Sequence, residues 1–316
     1  MPNFTYLLIF CLLRQKGWNI ILCSFLLMRN TIYRMNNKCL IVVNKLSGGF
    51  KGLDVQALKD KFGASYKETV VRYIPDDLEA MNVMGFDGVA VCGGDGTLHH
   101  VINANIPSPT TLYYVPCGTL NEVYHFNKKG ESTLKKVGSV GDALFSYVLA
   151  TGTFTPLGYS VDVSKKQKFK AFAYLFNVLK EYKVKDVKAV INVDGKIKSG
   201  SFTLIMLINS PRCFGFNFNK IYGDGKMHML LIKSPGADSL LNRIKIFFPF
   251  FRAFFVGFKK PCESKNITFT PFDKVEVDLD ESVKFCADGE SYTPNKRFTV
   301  SVKSLNNPIL ILNNKN

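Results

Sequence analysis

The sequence predicts a protein of the α/β plus β class with two domains. In residues 36–155, apolar strand-like runs alternate with helix-like segments, which is typical of an open, mostly parallel α/β sheet. In residues 156–316, short β-rich runs are separated by turn residues, which indicates an antiparallel, β-sandwich-like domain. The 316 residues are enough for two hydrophobic cores. We expect the active site in the cleft between the domains, and residues 1–35 as a separate N-terminal extension.

The N-terminal domain is predicted to contain four strands with helices between them. Residues 39–43 form an uninterrupted apolar run, as expected of a strand that is buried on both faces of a parallel sheet. Ligands of such sheets bind beyond the carboxyl ends of the strands. The other strands are predicted at residues 69–71, 89–92 and 111–115. Helices are predicted from the spacing of Val55, Leu58 and Phe62, and from Leu78 and Met81 behind a cap at Asp76 or Asp77.

The C-terminal domain is predicted to begin with an amphipathic helix at residues 169–179 and to continue as strands. Asp194 and Gly195 form a dipeptide that favours a tight hairpin turn. The strands are predicted at residues 187–193, 202–208, 227–232, 275–279, 299–302 and 309–312.

Two apolar runs, at residues 4–13 and 18–28, mark the N-terminal extension. Each is shorter than the roughly 18 residues that a membrane-spanning helix needs, and neither has the charge order of a signal peptide. The extension is a membrane-associating anchor, an amphiphilic segment, or translated sequence upstream of the true start codon. We favour the third interpretation because Met35 stands directly before the first good strand.

The chain is strongly basic, with a formal net charge of +16 and a pI of 9.4. Such a charge favours nucleotide phosphates, anionic lipid surfaces or nucleic acid as partners. No nucleic-acid recognition motif accompanies the charge, so we expect no nucleic acid partner. The eight cysteines form no CxxC pair and have no zinc-ligand spacing with histidine. This pattern predicts a reduced, intracellular protein without a structural metal.

The most informative motif is Gly93-Gly94-Asp95-Gly96-Thr97, which stands between an apolar strand and a helix. Glycines let the backbone approach a ligand closely, and the free N–H groups at the start of the helix attract an anion. Asp95 would repel a phosphate unless it serves a metal or takes a proton. The motif therefore favours phosphoryl transfer, with a tight turn of no chemical role as the alternative.

Three further loops carry residue types that suit the same chemistry. Residues 44–52 follow the first strand and offer small residues, the Ser47 hydroxyl and N–H groups, as a phosphate site needs. Residues 116–121 follow the fourth strand. Late in the chain, Asp288-Gly289-Glu290 places two carboxylates on a turn between strands.

In the order and spacing of these motifs, the sequence resembles the catalytic domain of the diacylglycerol kinase and sphingosine kinase family, which includes bacterial lipid kinases. The likeness covers about residues 38–303. Residues 209–225 resemble a further family segment more loosely. The matching residues are Asn44, Ser47, Gly48 and Gly52 in the first loop, the complete motif at 93–97, Pro116, Gly118, Thr119 and Asn121 in the third loop, and Asp288-Gly289-Glu290.

The resemblance implies ATP and Mg²⁺ as cofactors and a lipid at a membrane surface as the substrate. It implies catalytic roles for Asp95, Asp288 and Glu290, of which Asp95 would handle the lipid hydroxyl proton, the nucleotide, the metal or a combination. A positioned carboxylate can accept the proton of an alcohol during transfer. The implied metal ligands are Asp288 and Asp224. The implied nucleotide-binding residues are Asn44, Ser47, Gly48, Gly93, Gly94, Gly96, Thr97, Gly118, Thr119 and Asn121.

The sequence departs from the family pattern at several positions. Lys45 replaces a proline, Glu122 replaces an aspartate, and Gly158 stands where an aspartate is common. His100 occupies the usual place of a glutamate. His99 and His100 could contact phosphate, but we expect both to face solvent. The segment around residues 164–168 is shorter than its family counterpart on the lipid side of the cleft.

An aromatic segment at residues 244–260 is flanked by lysine and arginine. Such a segment can insert at a membrane interface, and anionic lipid would attract its basic residues. Packing on the β domain, or lining of an acyl-chain pocket, is an equal alternative. Pro249 argues against one uninterrupted helix.

The sequence thus predicts an ATP-dependent lipid kinase that acts on a diacylglycerol-like or sphingoid lipid, in the cytoplasm and peripherally bound to membranes. A catalytically silent nucleotide- or lipid-binding protein of the same fold is the first alternative. An NAD kinase, which shares the Gly-Gly-Asp-Gly-Thr motif, is the second.

Overall fold

The computed structural model describes residues 38–104, 106–125, 133–153, 184–213 and 215–312. The N-terminal extension, Gly158, the shortened segment and the helix predicted at residues 169–179 lie outside these residues. No helix within the described ranges is long and apolar enough to cross a membrane.

The secondary structure of the described residues is dominated by strands. The strands are β1 (Lys38–Asn44), β2 (Glu68–Ile74), β3 (Gly88–Gly93), β4 (Thr111–Pro116), β5 (Thr133–Val140), β6 (Ala143–Phe145), β7 (Val148–Gly152), β8 (Val187–Val193), β9 (Lys196–Ile208), β10 (Met227–Lys233), β11 (Cys262–Glu263), β12 (Ile267–Phe272), β13 (Lys274–Leu279), β14 (Phe285–Ala287), β15 (Glu290–Tyr292) and β16 (Arg297–Ile311). The helices are α1 (Val55–Gly63), α2 (Asp95–Ile102) and α3 (Leu240–Phe251), with a 3₁₀ turn at Phe50–Gly52 and a π-helical turn at Arg252–Val256.

The first four strands form a parallel sheet in the order β2-β1-β3-β4. The two central strands are buried on both faces, which explains their continuous apolar sequences. Leu40 and Val42 pack into the core on one face, while Cys39, Ile41 and Val43 pack into the core on the other. Period-two alternation therefore divides one apolar run between two cores.

The remaining strands form an antiparallel region, so the predicted fold class is confirmed. The Asp194-Gly195 turn joins β8 to β9 with Val193 opposite Lys196, and both turn residues have positive φ, as a type I′ hairpin requires. Strands β5 and β7 precede residue 155, but β5 pairs with β16, and β7 pairs with β14 and β9. The antiparallel pairing thus begins upstream of the predicted boundary at 155/156.

Strand β16 connects the two regions. It pairs antiparallel with β13 and β5 and parallel with β4, so that one sixteen-stranded sheet runs through the molecule. The two closing strands predicted at residues 299–302 and 309–312 are therefore one strand. The pairing with β5 shifts register between Ser304 and Ile309, where Pro308 interrupts the ladder without ending the strand.

Candidate active site

Three loops meet at the carboxyl ends of β1, β3 and β4. The Gly49 N–H of the first loop donates to the Cys117 carbonyl of the third at 2.8 Å. Asn44 ends β1, and its Nδ2 donates to Thr97 Oγ1 in the second loop at 2.8 Å. Its Oδ1 accepts from the Leu46 N–H at 2.9 Å. One amide side chain thus orders its own loop and ties it to the next.

Glycine is required in these loops because they pack backbone against backbone. A Cβ atom on Gly118 would lie 2.4 Å from Gly94 Cα, and one on Gly49 would lie 2.8 Å from the Cys117 carbonyl oxygen. Non-bonded carbon atoms in contact are about 3.5–4.0 Å apart. A side chain at Gly118 would therefore force two loop backbones apart.

A cavity of about 650 Å³ opens at these loops, a volume within the range of small-molecule sites. All but two of the predicted nucleotide-binding residues line it. These lining residues are Asn44, Ser47, Gly48, Gly94, Gly96, Thr97, Gly118 and Thr119.

The two exceptions, Gly93 and Asn121, shape the loops instead. Gly93 ends β3, where a Cβ would lie 2.4 Å from Thr97 Oγ1. Asn121 forms two hydrogen bonds of 2.8 Å with the backbone of Gly118, one through each side-chain atom. Its amide therefore closes the third loop on itself.

The connection between β2 and β3 supplies a wall of the cavity that the sequence did not predict. It contributes Pro75, Asp77, Leu78, Ala80 and Met81, next to Ile74 at the end of β2, and Leu46, His100 and Glu290 also line the cavity. The helix predicted here is wrong. Asp77 Oδ1 accepts from the N–H two residues on, at Glu79, which forms a local turn instead of a helix cap. A cluster of proline and aspartate directly after a strand was the available signal.

Asp95 lies beneath the cavity and does not line it. Its Oδ2 accepts from the Glu122 N–H at 2.8 Å, and its Oδ1 accepts from the Val123 N–H at 3.2 Å. Burial, followed by the charge of Glu122, raises the pKa of Asp95 to about 7. Asp95 thus holds the chain that follows the third loop.

Glu122 forms a second buried carboxylate beside Asp95. Its Oε2 lies 2.6 Å from Arg212 Nε, and its Oε1 accepts from the Gly215 N–H at 2.7 Å. Burial raises the pKa of Glu122, while the Arg212 guanidinium lowers it. The glutamate that replaces the family's aspartate therefore reaches across to the loop after β9.

Asp288 is buried and surrounded by hydrogen-bond donors. Its Oδ1 accepts from the N–H groups of Tyr147 and Val148 at 2.9 and 3.1 Å. Its Oδ2 accepts from the N–H and the hydroxyl of Ser146 and lies 3.2 Å from His99 Nδ1. The carboxylate thus fastens the turn after β14 to the start of β7. His99, expected to face solvent, is instead mostly buried against it.

Glu290 is the predicted catalytic carboxylate that lines the cavity. It begins β15, and its side chain is 47% exposed. His100 Nε2 lies 4.0 Å from Glu290 Oε1, and a Cβ on Gly96 would come within 3.2 Å of the same oxygen. The turn therefore brings Glu290 against the start of α2, while Asp288, two residues earlier, points into the protein.

The predicted metal ligands do not fit direct coordination of Mg²⁺. The two oxygens of Asp288 are occupied by backbone and hydroxyl donors. Asp224 accepts from the Lys226 N–H and lies 3.1 Å from His228 Nε2. Within the described ranges, no group of three or more His, Cys, Asp or Glu side chains is arranged to hold a metal.

Comparison with known proteins agrees with this architecture. Residues 38–142 match the model of the diacylglycerol kinase catalytic domain. A Streptococcus pneumoniae protein whose name suggests a lipid kinase is 25% identical over 66% of this chain and 78% of its own length. A Staphylococcus aureus diacylglycerol kinase is 29% identical over 48% of this chain and about half, 53%, of its own length.

A solved structure of a diacylglycerol kinase from Bacillus anthracis superposes with a TM-score of 0.58 at 17% identity, covering 87% of this chain and 96% of that one. At this identity the likeness concerns the fold. Residues 38–142 are thus similar to the diacylglycerol kinase catalytic domain, and the chain shares the fold of a solved diacylglycerol kinase.

Proposed function

We propose that the protein is an ATP-dependent lipid kinase that transfers the γ-phosphate to a hydroxyl of a diacylglycerol-like or sphingoid lipid. The observation that carries the proposal is the meeting of the glycine-rich loops and the Glu290 carboxylate in one cavity. A phosphate-binding site with a carboxylate at its edge suits phosphoryl transfer to an alcohol better than nucleotide binding without a reaction.

The cavity fits a nucleotide. The end of β2 and its connection to β3 give one wall apolar side chains, including Ile74 and Met81, which suit an adenine ring. The glycine loops opposite give small residues and backbone N–H groups, which suit phosphates. The N-terminus of α2 begins at Asp95 and adds a positive partial charge.

Glu290 is the residue that we assign to the proton of the acceptor. In the transfer, the lipid hydroxyl oxygen forms a bond to the γ-phosphorus, and the bond from that phosphorus to the bridging oxygen of ADP breaks. The hydroxyl proton passes to the Glu290 carboxylate. In this proposal Asp95 and Asp288 are positioning residues, because their oxygens accept hydrogen bonds from backbone N–H groups.

The test is transfer of labelled phosphate from ATP, with Mg²⁺ in the medium, to diacylglycerol, sphingosine, ceramide or monoacylglycerol in mixed micelles. The wild-type protein should give a labelled lipid. Glu290→Gln should lower the rate by about 10²–10⁴-fold and leave ATP binding unchanged. Glu281→Gln, an exposed glutamate on a neighbouring turn, is the matched control and should keep the wild-type rate.

Full activity in Glu290→Gln would remove the proposed role of this residue. ATP binding by the wild type without any labelled lipid would indicate the catalytically silent alternative. NAD belongs in the acceptor panel as well, because a labelled dinucleotide would identify an NAD kinase.

A further inference from the structure

The outer face of α3 presents an apolar strip to solvent. Leu241, Ile244 and Phe248 lie at helical spacing and are 70%, 47% and 68% exposed, and Leu240 beside them is 65% exposed. The opposite face carries Ile246 and Phe250, which are buried in the core, as is Ala253 in the π-helical turn that follows. Half of the exposed large apolar side chains in the described part of the chain lie between residues 240 and 256. Concentration on one helix face is typical of an interaction surface.

The segment continues through the position that the sequence marked as a break. Pro249 lies inside α3, which runs on into the π-helical turn, so the predicted interruption is wrong. The rings of Phe247, Phe251 and Phe255 stack along the helix with centroids 5.9 and 5.2 Å apart. This stacking gives the strip a rigid aromatic border.

Basic residues surround the strip. Residues 240–260 contain five lysines and arginines and no acidic residue. Lys245 is exposed on α3 between Leu241 and Phe248, and the Lys220 ammonium donates to the carbonyl of the exposed Val256 at 2.6 Å. Lys259 and Lys260 follow directly and are exposed.

We propose that this face of α3 docks on an anionic phospholipid surface. Exposed leucine and phenylalanine side chains can enter the boundary between headgroups and acyl chains while lysines bind anionic headgroups. A symmetric contact with a second copy would bring the lysines of one face against those of the other. Residues 154–183 of the same chain hold six lysines and two acidic residues, a net charge of 6 − 2 = +4, so they do not complement the strip either.

The docking face is connected to the candidate active site through direct contacts. The Phe254 and Phe255 rings lie 5.9 and 5.1 Å from that of Phe216. The neighbouring Gly215 N–H donates to Glu122, whose own N–H donates to Asp95. This proposal rests on the proposed function, because docking on a membrane would bring the cavity to a lipid substrate.

The test is binding of the full chain, without ATP, to sedimented vesicles of phosphatidylcholine with and without phosphatidylglycerol. The wild type should bind the anionic vesicles and release them as salt rises. Phe248→Glu should lower the partition coefficient by about tenfold or more, because burial of one phenylalanine is lost. Ile197→Glu, at an equally exposed apolar residue on β9, is the matched control and should bind like the wild type.

Equal binding of Phe248→Glu and wild type, or equal binding to neutral and anionic vesicles, would overturn the proposal. Light scattering that shows a wild-type dimer separated by Phe248→Glu would assign the face to a second copy. If the wild type does not bind vesicles and Phe248→Glu has a lower thermal stability, the exposed face of α3 would be assigned to contact with residues 154–183.

Kinase activity in mixed micelles keeps the two proposals separate. Phe248→Glu should phosphorylate micellar lipid like the wild type and lose activity on anionic vesicles. Vesicle binding without phosphorylation of any lipid would leave the docking face in place and remove the proposed function.

Discussion

Replacement of Asp288 by asparagine separates a structural role from a catalytic one. Its carboxylate is inaccessible to solvent and accepts the N–H groups of Ser146, Tyr147 and Val148. In asparagine, an NH₂ group replaces one carboxylate oxygen, so it would face N–H donors that need an acceptor. Asp288 has φ of 53°, which asparagine tolerates, so the substitution adds no backbone strain.

The expected magnitude follows from the donors that lose their acceptor. If the NH₂ group faces Tyr147 and Val148, two buried N–H groups are unsatisfied. Each costs about 1–3 kcal/mol, so the free energy of unfolding should fall by about 2–6 kcal/mol. That is a large share of the roughly 5–15 kcal/mol of a typical domain.

Urea unfolding followed by circular dichroism measures this change. Asp288→Asn should unfold at lower urea, whereas Glu290→Gln, on the same turn but half-exposed, should stay within about 0.5 kcal/mol of wild type. Kinase activity of Asp288→Asn should track its folded fraction. A variant with the wild-type midpoint and slope but no phosphoryl transfer would refute the structural assignment and return Asp288 to the catalytic or metal-binding residues.

Two further predictions concern the loops and pH. Gly118→Ala should destabilise the protein by about 1–3 kcal/mol and weaken ATP binding, because its Cβ would lie 2.4 Å from Gly94 Cα. Gly63→Ala, where a Cβ meets no atom within 4 Å, is the control and should change neither stability nor ATP binding. Unchanged ATP affinity in Gly118→Ala would contradict the role given to this close contact. Burial raises the pKa of Asp95 from 3.8 to about 7. Between about pH 4 and 7 the folded protein therefore keeps a proton on Asp95 that the unfolded chain has released. The free energy of unfolding should consequently fall as pH rises from about 4 to 7. The urea midpoint of Asp95→Asn should therefore change less than that of wild type over this range, and parallel curves would argue against a raised pKa.

Much of the fold could be predicted because its signals are local. Strands β1, β3 and β4 form where short apolar runs predict them. The hairpin turn likewise forms at the predicted Asp194-Gly195 dipeptide. The connection after β2 was mispredicted because Asp77 and Asn82 form side-chain turns that compete with a helix cap. Residues 299–302 and 309–312 were predicted as two strands, but pairing with β5 and β4 makes them parts of one strand.

By itself, the sequence determined that three glycine loops, one of them carrying Asp95, would gather at the carboxyl ends of parallel strands, because these motifs follow the strands directly. It did not determine which carboxylate faces the cavity, since Asp95, Asp288 and Glu290 all stand in similar polar turns. Only the tertiary structure decided this. The donors that occupy Asp288 come from about 140 residues earlier in the chain, and those of Asp95 come from the loop after β4. A carboxylate's role depends on the groups that folding brings to it, and those groups are remote in sequence.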